Sequence, residues 1–198
     1  LFLIALLLQF AMESVSSSSC SSLVLYTNSA PLSKFRDATV HVTVAGKFSV
    51  TLAQDWDSAG VSGVLWDSAK VLSEYMVTVL EDALLGARVL ELGAGLGLPS
   101  IVMAQSGLPS LVVSSDQAPA LPLLSRNVRA NQHDLKICEL DWGKPEASPA
   151  SRLGPFDFII GADLVYAEVA FSSLRNSLHL LASNSTIILL AARIRYPK

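Results

Sequence analysis

Residues 89–97 read Val-Leu-Glu-Leu-Gly-Ala-Gly-Leu-Gly, an apolar run that enters glycines at 93, 95 and 97. Glycine adopts positive φ without penalty and lets a ligand come close to the backbone. A dinucleotide fingerprint needs its third glycine at position 98, where this chain has Leu98. An acid, Glu91, stands two residues before the first glycine. Such an acid would repel a pyrophosphate and suits a ligand that carries positive charge. S-adenosylmethionine, with an ammonium and a sulfonium, is one. A tight strand-to-helix turn that binds nothing would use the same glycines.

Three further groups could do chemistry. Asp116 closes an apolar run 23 residues after Gly93. In doubly wound sheets an acid at about that offset accepts hydrogen bonds from ribose hydroxyls. In Leu140-Asp-Trp-Gly143 the indole of Trp142 could pack on an adenine ring, with Asp141 near its amine, or could fill a corner of the core. Trp66 carries the same two readings. In Gly161-Ala-Asp-Leu-Val-Tyr166, Asp163 and Tyr166 stand three apart. They could sit beside a transferable group, or be a helix-capping aspartate and a packed tyrosine. His41, His133 and His179 have no companions and read as solvated residues.

The elements that must position these groups are visible in the periodicity. Residues 39–44 and 48–52 alternate apolar and polar around a turn at 45–47, a hairpin signal. Helical spacing predicts a helix over 64–80, with Gly86 beyond it as a stop. Strands are expected at 88–92, 111–114, 136–140, 156–160 and 186–192, and helices at 99–107, 121–131 and 171–182. Repeated β–α units of this length imply a parallel sheet with helices on both faces. The Pro-rich stretch 143–155 is expected to be an exposed, mobile loop.

Composition bounds the function. The chain has 198 residues, 51% of them hydrophobic, which suits one domain and excludes a wholly disordered chain. With 14 Lys+Arg against 17 Asp+Glu, it has a net charge of −3. That balance argues against a nucleic-acid partner held through many phosphates. Cys20 and Cys138 make no disulfide framework, no Cys/His cluster has zinc spacing, and no metal is expected. The opening Leu1–Leu8 is too short to span a bilayer as a helix, and a Ser-rich tract follows. Residues 1–30 are therefore expected to be a disordered leader and 31–198 the domain, with no membrane partner.

Taken in order, eight features carry a resemblance. They are Gln54-Asp-Trp56, Gly63-Val-Leu-Trp-Asp-Ser-Ala69, Leu90-Glu-Leu-Gly-Ala-Gly95, Asp116, Asn127 with Asn131, Leu140–Gly143, Gly161–Tyr166, and Ala191-Ala-Arg-Ile-Arg-Tyr196. Together they resemble the seven-β-strand, DxxY-type protein-lysine methyltransferases of the methyltransferase-like 21 group, from about Thr39 to the last residue. The resemblance implies an α/β, Rossmann-like class I S-adenosylmethionine-dependent methyltransferase fold. It implies cofactor contacts at Trp66, Gly93, Ala94, Gly95, Asp116, Trp142 and Ala162, and it places Asp163 and Tyr166 beside the acceptor lysine. It also implies a cytoplasmic protein that modifies chaperones or translation factors; the Gln54-Asp-Trp56 and Arg193-Ile-Arg-Tyr196 segments look most like the Hsp70-directed branch. Family members continue past Tyr196 with a helix and two strands, one antiparallel beside the fifth. The chain is therefore expected to be C-terminally incomplete, with a long apolar edge on its fifth strand. A small-molecule methyltransferase and a catalytically silent cofactor- or chaperone-binding module are the rival readings. A nucleic-acid amino-methyltransferase would carry prolines where Leu164 and Val165 stand.

Overall fold

The computed structural model describes residues 2–7, 36–131 and 135–193. Its elements are β1 (Phe2–Leu7), the hairpin β2 (Thr39–Val44) and β3 (Phe48–Ala53), α1 (Trp56–Ala59), α2 (Asp67–Thr78), α3 (Glu81–Leu84), β4 (Arg88–Leu92), α4 (Leu98–Ser106), β5 (Leu111–Asp116), α5 (Leu121–Ala130), β6 (Lys136–Glu139), β7 (Phe158–Ala162), α6 (Phe171–Leu181) and β8 (Ile187–Arg193). Strands β4 to β8 are parallel and form the sheet β1-β8-β7-β4-β5-β6. The chain steps outward from β4 to β5 and β6, then returns to lay β7 on the other side of β4. Strand order thus reverses between β4 and β7, and in open α/β sheets ligands bind at the carboxyl ends of strands at such a reversal.

Alternation along the strands fixes which side chains meet which helices. Val89, Val112, Phe158, Ile160 and Leu189 turn to the face covered by α2 and α4, where Leu72, Met76 and Met103 are fully buried. Leu90, Val113, Ile159 and Ile188 turn to the opposite face, covered by Leu174, Leu178 and Leu181 of α6. The hairpin forms an outer layer: Val42, Val44, Phe48, Val50 and Leu52 pack on α4 and α5, while its Thr and Ser residues face solvent. One α5 face seals the free edge of β3. Asn127 and Asn131 pair their carboxamides with the backbone of Ala53 and Thr51, respectively.

The expected fold class is the one observed, with differences of detail. The leader was expected to lie outside the fold, yet Phe2–Leu7 is a strand. It runs antiparallel along the whole of β8, from Phe2 opposite Arg193 to Leu7 opposite Ile188. The fifth parallel strand therefore has a neighbour on the side expected to be open, because any extended segment can satisfy a row of unpaired backbone groups. Residues 8–30 of the expected leader lie outside the described residues, as do His133, Cys20 and Ile194–Tyr196. The helix expected over 64–80 is α2, which begins at Asp67 after a 3₁₀ turn over Gly60–Gly63. Strand β7 begins two residues later than expected, since Phe156 is a buried core residue before the strand. The 143–155 stretch is folded rather than free. It makes 3₁₀ turns over Pro145–Ala147 and Pro149–Arg152, Ser148 donates to the Glu139 carbonyl, and Arg88 binds the carbonyls of Leu153 and Pro155.

Candidate active site

Where β4, β5 and β7 end, a cleft of about 380 Å³ opens. That is within the about 300–1,000 Å³ of small-molecule sites. All ten residues expected to form a site border it: Trp66, Glu91, Gly93, Ala94, Gly95, Asp116, Trp142, Ala162, Asp163 and Tyr166. The floor is the glycine turn between β4 and α4. Gly93 and Gly95 have φ of +57° and +53°, a region that favours glycine. A Cβ on Gly93 would stand 2.6 Å from Leu164 Cδ2 and 3.4 Å from Trp142 Cζ2, and one on Gly95 would stand 3.2 Å from the Ser62 carbonyl. The turn is thus squeezed between the indole of Trp142 on one side and the segment before α2 on the other.

That segment is the roof. Trp66 donates its indole N–H to the Val61 carbonyl at 2.8 Å, closing residues 61–66 into a compact turn over the cleft. Gln54, just after β3, accepts the Leu65 N–H at 2.8 Å, and Asp55 N–H binds the Gly63 carbonyl at 2.8 Å. The roof is therefore tied at its base to the hairpin.

Among the described residues, three carboxyl groups and no Lys, Arg or His line the cleft. Glu91 is 1% exposed, and burial pushes its pKa up to about 8, against the opposing pull of hydrogen bonds from Ser100. Burial thus opposes the negative charge expected at Glu91 in the absence of a cationic ligand. Its carboxyl accepts both the N–H and the hydroxyl of Ser100 in the first turn of α4, and burial keeps it largely protonated at neutral pH. Asp116 accepts Gly95 N–H and Gln117 N–H, each at 2.7 Å. Burial raises its pKa, and those two hydrogen bonds oppose the rise. Asp163 is not the N-cap residue of any described helix. It holds φ of +55° directly after β7, where its carboxylate accepts the Ser68 hydroxyl at 2.7 Å and the Arg193 N–H at 3.2 Å. Tyr166 stands at the mouth, 56% exposed. Asp141 accepts the Gly143 N–H at 2.8 Å within its own turn and is not among the residues that border the cleft. His41 and His179 are exposed, and His41 meets the Thr51 hydroxyl at 2.9 Å.

Sequence reasoning left Ser68, Ser100 and Gln54 without roles. Each is a buried polar residue in an apolar neighbourhood, which requires a hydrogen-bond partner, and that requirement was the available signal.

A parallel sheet with a glycine turn and an adjacent acid at its switch point is the Rossmann-like architecture that class I S-adenosylmethionine-dependent methyltransferases share. The Thermus thermophilus 16S rRNA N2 G1207 methyltransferase, solved with AdoMet and guanosine, has this fold at a TM-score of 0.59 and 19% identity, covering 77% of this chain and 41% of that one. Within that class the chain belongs to the lysine methyltransferase family, whose profile matches residues 46–198. It is 40% identical over 184 residues to the mouse protein N-lysine methyltransferase METTL21A, covering 89% of this chain and 82% of that protein. It is 33% identical over 140 residues to the Xenopus tropicalis EEF1A lysine methyltransferase 3, covering 69% of this chain and 59% of that protein. The family's cofactor is S-adenosylmethionine. The cleft fits it: the glycine turn forms its floor, and among the described residues the lining offers carboxyl groups and no Lys, Arg or His to a ligand with two positive centres.

Proposed function

We propose that this chain methylates a lysine of an Hsp70-type chaperone, with Asp163 and Tyr166 at the acceptor end of the cleft. The observation that carries the reading is a cleft that, among the described residues, is lined by carboxyl groups and no Lys, Arg or His, and whose one end is the Asp163–Tyr166 turn. Trp66, Gly93, Ala94, Gly95, Asp116, Trp142 and Ala162 would hold the cofactor, with Asp116 accepting the ribose hydroxyls and Trp142 flanking the adenine. When bound, S-adenosylmethionine supplies an electrophilic methyl on a sulfonium.

The acceptor amine must be neutral to attack, although a free lysine has a pKa of about 10.4. Desolvation disfavours the ammonium, and apolar residues of the cleft lining next to Asp163, Ala162 and Leu164, would contribute to it. Asp163 is held rigid by Ser68 and the Arg193 N–H, so it can fix the direction of the amine by accepting a hydrogen bond. A carboxylate is a poor base toward an amine of that pKa, so alignment is the larger contribution.

The resemblance of the Gln54-Asp-Trp56 segment to the Hsp70-directed branch supports the chaperone. A translation factor is the second reading, favoured by the likeness to the EEF1A enzyme. The proposed place of action is the cytoplasm; among the described residues no helix is long and apolar enough to cross a membrane. Incubating the chain with methyl-labelled cofactor and either a purified Hsp70-type chaperone or a purified elongation factor tests the reading. Label on a chaperone lysine is expected; label only on the elongation factor selects the second reading, and label on neither refutes both. Asp163→Ala is expected to keep cofactor affinity within about threefold while transfer falls at least about 100-fold. Collapse of cofactor binding would instead move Asp163 into the cofactor shell.

A further inference from the structure

Asn127 was legible in the sequence only as part of a resemblance, and no function is attached to it. It is 0% exposed in the middle of α5, an unusual place for a carboxamide unless every polar atom is met. Its Oδ1 accepts the Ala53 N–H at 2.8 Å. Its Nδ2 donates to the Ala53 carbonyl at 3.1 Å and to the Leu96 carbonyl at 3.3 Å. A carboxamide has two N–H donors and a carbonyl oxygen, and all are used here. The two partners are not equivalent. Leu96 belongs to the glycine turn, the floor of the cleft. Ala53 ends β3, and the next residue, Gln54, holds the roof by accepting the Leu65 N–H.

We infer that Asn127 is a positioning residue for cofactor binding, because its one side chain joins the floor of the cleft to the strand that carries the roof. The inference rests on the cofactor reading above. Floor and roof come close: a Cβ on Gly95 would lie 3.2 Å from the Ser62 carbonyl. A shift of a few tenths of an ångström between them would change the width of the slot in which the ligand sits. No covalent bond fixes that spacing, because Ala53 and Leu96 are 43 positions apart in the chain. Asn127 spans it directly.

The fold supplies its own control. Asn131, one turn later on α5, makes the same carboxamide pairing to β3, accepting the Thr51 N–H at 3.0 Å and donating to the Thr51 carbonyl at 2.9 Å. It also donates to the Asn127 carbonyl, and it makes no bond to the glycine turn. If either asparagine served only to dock the hairpin, the two would behave alike. If Asn127 sets the slot, only its loss reaches the ligand.

The test is calorimetric titration of the full chain with S-adenosylhomocysteine, alongside thermal unfolding, for wild type, Asn127→Ala and Asn131→Ala. Both substitutions are expected to lower the unfolding temperature. Asn127→Ala is expected to weaken S-adenosylhomocysteine at least tenfold, and Asn131→Ala less than twofold. Should Asn127→Ala fail to fold, Asn127→Asp keeps the shape and the acceptor for the Ala53 N–H but, ionised, donates to neither the Leu96 nor the Ala53 carbonyl, and the same tenfold loss is expected. Equal affinity losses in the two alanine variants, or an Asn127 variant that binds like wild type, overturns the inference alone. No heat from the wild-type chain overturns it together with the cofactor reading.

Discussion

Glu91 shows how burial and chemistry interact at a single residue. With the residue 1% exposed and its pKa pushed up to about 8, the acid is largely neutral at pH 7 when no ligand is bound. A ligand ammonium or sulfonium nearby favours the charged form and pulls that pKa down. Binding therefore releases a proton at neutral pH, and affinity rises with pH until Glu91 is ionised without help, near pH 8. The expected outcome is a binding enthalpy at pH 7 that varies with the ionisation enthalpy of the buffer, and no such variation in Glu91→Gln. Stability runs the other way. The folded pKa lies above the ordinary 4.5, so Glu91's contribution is fully present below about pH 4.5 and is lost as pH climbs toward 8. The limit of that slope is about 1.4 kcal/mol per pH unit for one proton. Ligand-free wild type should thus lose stability between pH 5 and 8 relative to Glu91→Gln, as read by denaturant melts at each pH; parallel curves would show that Glu91 is charged throughout.

At the scale of elements, helix α2 does more than cover the sheet. Its first turn brings Ser68, fully buried, to Asp163 across 95 positions of sequence, while the residue before the helix, Trp66, closes the roof. Ser68→Ala leaves part of a buried carboxylate without its donor, a loss of about 1–3 kcal/mol. It should also cut methyl transfer while S-adenosylhomocysteine binding holds, with Ser68→Thr restoring transfer; single-turnover kinetics would separate this from simple destabilisation. Such pairings explain what the sequence could and could not reveal. Strands β4 and β5 and helices α4 and α5 were readable because their apolar spacing is local, and their ends came out within about two residues. The glycine turn and Asp116 were readable because chemistry demands those residue types in order. Ser68 with Asp163, Ser100 with Glu91, and the two asparagines with β3 were not, since a hydrogen bond between distant segments leaves no period behind. The start of β7 was misplaced for a related reason: Phe156 is as apolar as a strand residue but packs against Ala150 and the α6 side of the core.

The whole molecule depends on how the sheet ends. Strand β8 is apolar along its length, Ile187-Ile-Leu-Leu-Ala-Ala, and its carboxyl end reaches the site through the Arg193 N–H on Asp163 and the Ala191 carbonyl, which accepts the Asp163 N–H at 2.7 Å. Whatever pairs with the outer edge of β8 therefore also steadies the acceptor end of the cleft. In this structure the partner is β1, in register over six residue pairs. An edge strand without a neighbour presents free N–H and C=O groups to other chains. Removing residues 2–7 should consequently lower the unfolding temperature and raise light scattering on mild heating. It should also weaken methyl transfer more than S-adenosylhomocysteine binding, because the glycine turn and Asp116 lie two and three strands beyond β8, at β4 and β5. If the shortened chain melts at the same temperature and scatters no more light, β1 contributes nothing to the sheet edge. If cofactor binding falls as far as transfer, the cleft responds as one body rather than from its β8 side.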